Sequence, residues 1–209
     1  MDCLFESMMN NRERIIEGAA ELFKTYGIKS VTMDSLASHM AMSKRTIYEI
    51  FADKDELLTG VLKLMSLKQK ELFKRILDES ENAIVAVFKL LEFNRDHFQQ
   101  MSPAFQSDIR KYHYEVLIEE AKKNDFPDRR NNKEVIERGI KEKLFRKDLN
   151  PELVNTCMDF LFRSALDNDL YPFDEYSRHD VIRNTVINYV RGISTPEGTR
   201  LINKLERKF

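Results

Sequence analysis

SVTMDSLASHMAMSKRTIYEIFADKDELL, residues 30–58, holds two short helical patterns with only a tight turn between them. Thr32 is placed to cap a helix over 33–40, with Val31 and Leu36 as its hydrophobic staple. Ser43 is placed to cap a second helix over 44–51, with Met42 and Ile47 as staple. Met33, Leu36, Ala37 and Met40 share one face of the first pattern, and Ile47 and Phe51, four apart, share one face of the second. The opposite face of the second begins with Lys44, Arg45, Thr46 and Tyr48. Two helices joined so closely, the second opening on cationic and hydroxyl side chains, form the layout in which one helix enters a DNA major groove while the other crosses the backbone.

Upstream, Ile15, Ile16, Ala19, Leu22, Phe23 and Tyr26 form a broad apolar stripe over 11–26, and Gly27 sits where a left-handed C-cap is placed. Downstream, Asp53 and Glu56 have capping-box spacing and open a long helix to about residue 78. The helical pattern continues from residue 82 with Phe88, Phe93 and Phe98, then Phe105, Tyr112 and Tyr114, broken at Pro103 and over 124–128. A further helix is expected over 132–146. Asn150-Pro151 supplies an N-cap and N1 pair for a helix to about 168, another is expected over 175–190, and Thr195-Pro196 repeats the cap signal. With five prolines and six glycines in 209 residues, the fold class is all-α: a three-helix N-terminal domain with a helix-turn-helix over 1–55, joined to a larger helical domain over 56–209.

No apolar run is long enough to span a membrane and no charged-then-apolar leader opens the chain, so a cytoplasmic protein with no membrane association is expected. Cys3 and Cys157 lie in unlike contexts and are expected to be reduced thiols. The net charge is −1, and residues 1–65 carry eight Lys/Arg against ten Asp/Glu. Attraction to a polyanion must therefore be local, carried by Lys44, Arg45 and Lys54.

The roles follow from the side chains. Lys44 has the reach for a guanine edge or a phosphate, and Arg45 can meet either with fork geometry. Thr46 and Tyr48 bring hydroxyls suited to phosphate oxygens, which position a protein on DNA without reading it. Lys54, at a helix start, adds a charge where free backbone N–H groups also favour phosphate, and Thr32 can approach the backbone in the same manner. The candidate DNA-binding set is Thr32, Ser43, Lys44, Arg45, Thr46, Tyr48 and Lys54. The competing reading is an ordinary charged helical surface. The Ala41-Met42 turn lacks a glycine, so a left-handed Ala41 would cost on the order of 1 kcal/mol.

Thr32-x-Asp34-x-Leu36-Ala37 followed by Ser43-Lys44-Arg45-Thr46-Ile47-Tyr48-x-x-Phe51-x-x-Lys54-Asp55-x-Leu57 resembles the N-terminal signature of the TetR/AcrR family of bacterial transcriptional regulators. The resemblance extends back through Ala19-x-x-Leu22-Phe23-x-x-Tyr26-Gly27 and covers about residues 12–58. Ala41 stands in place of the usual turn glycine, and Arg45 where glycine is common. The resemblance implies a homodimer that binds a near-palindromic double-stranded operator through its N-terminal domains. It also implies repression in most members, and release by a small ligand held in the C-terminal domain. Positions matching Thr32, Lys44, Thr46, Tyr48 and Lys54 would contact DNA.

For the larger domain, Phe160, Leu161, Ala165, Val181, Ile182, Thr185, Val186 and Tyr189 put more apolar surface on two late helices than a thin core seam requires, which favours a four-helix dimer interface. Phe88, Leu91, Phe98, Phe105, Ile109, Tyr112, Met158 and Phe162 could line a pocket for a small apolar or amphipathic ligand, or form a packed aromatic core. His39, His97, His113 and His179 have no metal-ligand spacing, and no cofactor is expected. The segment 122–147, with ten Lys/Arg against five Asp/Glu, reads as a solvated face. No phosphate loop, nucleophile elbow or paired-carboxylate arrangement is present, which argues against an enzyme. Two other readings stay open: a constitutive or activating DNA binder with a filled core, and a helical ligand-binding or protein-interaction module without DNA recognition.

Overall fold

The computed structural model describes residues 2–112, 133–172 and 174–207. Among them the regular elements are helical: α1 (Asp2–Tyr26), α2 (Met33–His39), α3 (Lys44–Tyr48), α4 (Lys54–Glu79), α5 (Ala83–Gln99), α6 (Pro103–Tyr112), α7 (Glu134–Lys141), α8 (Pro151–Ala165), α9 (Arg178–Ile182), a π turn (Arg183–Ile187), α10 (Asn188–Ile193) and α11 (Pro196–Glu206). The chain forms two compact units. One comprises the described residues up to Lys70 and from Gln99 to Tyr112; the other comprises Glu71 to Phe98 and the described residues from Lys133 onward.

Side-chain caps set the helix starts. The Thr32 hydroxyl accepts the Ser35 N–H at 3.0 Å while the Ser35 hydroxyl oxygen accepts the Thr32 N–H at 2.9 Å, a reciprocal box that begins α2. Ser43 Oγ accepts the Thr46 N–H at 3.1 Å and begins α3. At α4 the box is displaced by one residue: Asp53 accepts the Glu56 N–H, but Glu56 reaches back to the Ala52 N–H, both at 2.8 Å. Asn150 caps α8 through the Glu152 and Leu153 N–H groups, with Pro151 at N1, and Thr195 caps α11 through the Gly198 N–H.

Several elements differ from their expected spans. α3 ends at Tyr48, because Ile50 and Phe51 turn back with N–H bonds to the Ile47 carbonyl. α7 covers only 134–141, α8 stops at Ala165, and the late helix is interrupted by the π turn. A π turn widens the hydrogen-bond ring by one residue and shifts which side chains face inward afterwards.

The first unit is organised around Ile15, Ala19, Phe23, Ile28, Leu36, Ile47, Phe51, Leu57, Leu58 and Val61, all essentially buried. Each large apolar side chain so enclosed contributes about 2 kcal/mol of transfer free energy. α6 joins this core through Phe105, which is 2% exposed, and Ile109. Gly27 explains how α6 comes so close: its φ is +85°, and a Cβ there would lie 2.8 Å from the Ala104 Cβ. Ser102 also donates its N–H to the Lys24 carbonyl at 2.9 Å.

The second unit packs α5, α7, α8 and the segment 178–193 around Ile84, Val87, Ile136, Phe145, Ile182, Val186 and Ile187. Arg138 ties its start together. The guanidinium donates to the Leu77 carbonyl, to the Ser80 carbonyl at 2.7 Å and to Glu142 at 2.6 Å, and the other Glu142 oxygen accepts the Ala83 N–H at 2.7 Å. These bonds satisfy carbonyls at the end of α4 and an amide at the start of α5, groups that helix termini leave without partners.

Candidate nucleic-acid interface

The turn before α3 is built on Ala41, whose φ is +52°. Its N–H donates to the Ser38 carbonyl at 3.2 Å, and Met42 donates to the Ala37 carbonyl at 3.0 Å, closing the C-terminal end of α2. A left-handed alanine is strained by about 1 kcal/mol, and here it aims α3 away from α2 within three residues. Ile47 and Phe51, both 0% exposed, anchor α3 from beneath. A five-residue helix cannot hold itself in water, so that burial and the Ser43 cap fix its orientation.

The anchoring leaves the other face open. Ser43, Lys44, Arg45 and Tyr48 are exposed and Thr46 is half-buried. Lys44 Nζ lies 5.9 Å from the centre of the Tyr48 ring, a cation–π distance that groups the two side chains. The Ser43 and Thr46 hydroxyls are 2.8 Å apart, either able to donate to the other. Thr32 is exposed at the α2 cap, with its hydroxyl engaged to Ser35 at 3.2 Å. Lys54 is half-buried, its Nζ 5.9 Å from the centre of the Phe23 ring. Burial pushes the Lys54 ammonium below its ordinary value, opposed by the charges of Asp108 and Asp55.

Two carboxylates outside the candidate DNA-binding set stand beside these cations. Asp34, from the first turn of α2, is 2.6 Å from Lys44 Nζ, and Glu49 is 2.8 Å from Arg45 Nε. Hydrogen bonding to Asp34 raises the Lys44 value, and hydrogen bonding to Glu49 raises that of Arg45. The Arg45–Glu49 pair is legible as an i,i+4 spacing. The Asp34–Lys44 pair depends on the turn geometry and has no such signal.

The remaining site candidates fall elsewhere. Of the ligand set, Phe88, Leu91, Met158 and Phe162 pack in or against the core of the second unit, whereas Phe105 and Ile109 belong to the core of the first. The side chains of Phe98 and Tyr112 lie outside the described residues. An open polar groove of about 380 Å³, lined by His179, Arg183, Asn203, Glu206 and Arg207, includes none of them. Of the dimer set, Ala165, Val181, Ile182 and Val186 are buried in the core of their own chain. Leu161, Thr185 and Tyr189 are half-buried, and Phe160 is 63% exposed. Burial, with a hydrogen bond to Cys157, pushes the Tyr189 phenol up to about 12. Among the described residues no three His, Cys, Asp or Glu side chains gather as metal ligands, and no helix is long and apolar enough to cross a membrane; His113 lies outside them.

Residues 15–61 match the family model for bacterial regulatory proteins of the tetR family. The chain is 36% identical over 93 residues to YhgD of Bacillus subtilis (strain 168), an uncharacterized HTH-type transcriptional regulator, covering 43% of this chain and 49% of the relative. It is 23% identical over 161 residues to the HTH-type transcriptional repressor KstR2 of Mycobacterium tuberculosis, covering 74% and 78% respectively. Measured against YhgD, the chain spans about half the length of the relative it matches. In structure it resembles a TetR-family transcriptional regulator from Cytophaga hutchinsonii with a TM-score of 0.69 at 16% identity, over 90% of this chain and 97% of the other. At that identity the likeness is one of fold.

Proposed function

We propose that this chain is a member of the tetR family of bacterial regulatory proteins, which its residues 15–61 match, and acts as a sequence-specific transcriptional repressor that binds a near-palindromic operator as a homodimer and is released by a small ligand. The observation that carries the reading is the exposed Lys44–Arg45–Tyr48 face of α3, held rigid by the Ser43 cap and the buried Ile47 and Phe51. A short helix anchored on one side and cationic on the other has the form of a major-groove reader. Lys44 and Arg45 meet guanine edges or phosphates, Tyr48, Thr46 and Thr32 take phosphates, and Lys54 adds charge at the start of α4. Residues 1–55 read DNA; residues 56–209 carry dimerisation and the ligand response. The protein is a regulator rather than an enzyme, and acts in the bacterial cytoplasm.

Dimerisation uses the outward side of α8, where Leu153 and Phe160 are 69% and 63% exposed, together with the half-buried Leu161 and Tyr189. A homodimer supplies two copies of α3, one for each half of a near-palindromic operator. Ligand release requires only that the compound bind one dimer geometry more tightly than the other. The deep burial of Phe88 and Leu91, each 5% exposed, favours a second reading on this point: a constitutive or activating regulator whose core is already filled.

Selection of bound sequences from a random duplex pool, repeated with candidate ligands, tests the proposal. A recovered consensus with two-fold symmetry supports it. Recovery of unselected sequence shows that the chain does not read DNA, and a consensus unaffected by every ligand favours the constitutive regulator.

A further inference from the structure

The two cations at the tip of α3 are not simply presented to solvent. Lys44 is held at 2.6 Å by Asp34 and Arg45 at 2.8 Å by Glu49, and all four side chains are more than half exposed. Residues 1–65 have no basic excess to offset these acids, with eight Lys/Arg against ten Asp/Glu. Non-specific DNA binding is driven almost wholly by cations that replace counterions on phosphates. A cation that leaves a carboxylate for a phosphate exposes that carboxylate beside the same phosphate, well inside the ~8 Å over which salt screens charge. The gain from any one phosphate contact is therefore largely cancelled.

A G·C base pair presents a different partner. Guanine O6 and N7 accept from Lys or Arg, while the neighbouring cytosine N4 donates to a carboxylate. At such a pair both members of each ion pair find complementary groups, and neither is left facing like charge. Exposed ion pairs are held weakly, so Asp34 and Glu49 do not close the face; they weight it.

Resting on the proposed DNA-reading role of α3, we infer that Asp34 and Glu49 are specificity-determining residues, which suppress binding to phosphate alone and direct Lys44 and Arg45 to G·C pairs. The deciding juxtaposition is one carboxylate on each recognition-helix cation, Asp34 from α2 and Glu49 from the C-cap position just after α3.

The test uses the full chain and two duplexes of equal length, the sequence selected from a random pool and an alternating A·T duplex, with affinities measured across a salt series. In D34N and in E49Q, affinity for the A·T duplex should rise about three- to tenfold. The salt slope should steepen by up to about 0.9 for each freed cation. Affinity for the selected duplex should rise less or fall, so that the ratio between the two shrinks at least threefold. E197Q, which removes the same charge from an exposed pair with Arg200 on α11, should change neither duplex. Unchanged slopes and ratio in D34N and E49Q, an equal effect of E197Q, or a selected sequence lacking G·C pairs would each overturn the inference. If the native chain bound neither duplex in a salt-dependent way, the DNA-reading role itself would fall, and this inference with it.

Discussion

The carboxylate of Asp108 in α6 accepts the backbone N–H of Lys29, in the turn between α1 and α2, at 2.8 Å across seventy-nine positions of sequence. Asp108 is 8% exposed and lies beside Gly27, whose left-handed backbone gives α6 its close approach. This bond ties α6 to the turn that leads into the helix-turn-helix.

Removing it should be costly in a specific way. Asp108→Ala leaves a part-buried N–H without its partner, which costs about 1–3 kcal/mol. Asp108→Asn keeps an accepting oxygen and should cost less. Urea unfolding of both variants checks this, and equal stability of Asp108→Ala and the native chain would show that the tie is immaterial.

Ala41 gives the opposite sign. At φ +52° its side chain is strained by about 1 kcal/mol, and glycine removes that strain while adding some unfolded-state entropy. Ala41→Gly should therefore stabilise the protein by a few tenths to about 1 kcal/mol, seen as a higher urea midpoint at unchanged slope. A lower midpoint would mean that the turn relaxes around alanine at no cost.

These two positions also mark what could be read from the chain alone. The unusual Ala41 turn, and the caps at Thr32, Ser43, Asn150 and Thr195, follow from local chemistry, because a cap or a tight turn is decided within four residues. The membership of Phe105 and Ile109 in the first core could not be read locally, since their helical periodicity says only that one face is buried, not against what. The same limit applies to Ala165, Val181, Ile182 and Val186. Apolar spacing does not distinguish a helix face covered by its own chain from one reserved for a partner, and these four are covered by their own chain. The ion pair between Asp34 and Lys44 spans the very turn whose geometry creates it, so its spacing matches no regular period.

The C-terminal helix offers a pH signature. Hydrogen bonding to Arg183 holds the Glu206 carboxyl below the usual carboxylate range, with Arg191 adding charge. A depressed folded value means that the stabilisation is fully present above the unfolded value of about 4.3 and is lost as pH falls through the lower folded value. Glu206→Gln should thus be less stable than the native chain at pH 6–7, with the gap narrowing below about pH 4. Thermal melts at both pH values check this; a constant gap would assign the effect to packing.

The exposed side of α8 predicts assembly behaviour. Phe160→Asp places a charge on a side chain 63% exposed in the isolated chain, so folding should be nearly unaffected while self-association weakens at least tenfold. Sedimentation velocity over a concentration series measures it. A native-like dimer in Phe160→Asp would move the interface off this face.

The central claim is that the α3 face reads DNA, and the most direct measurement is the affinity of the Lys44→Ala/Tyr48→Ala double variant for a duplex selected by the native chain, at fixed salt. Both side chains are exposed, so the variant should keep its helical circular dichroism and its oligomeric state while losing at least a hundredfold in affinity for that duplex. A folded double variant that binds the selected duplex as tightly as the native chain would contradict the account.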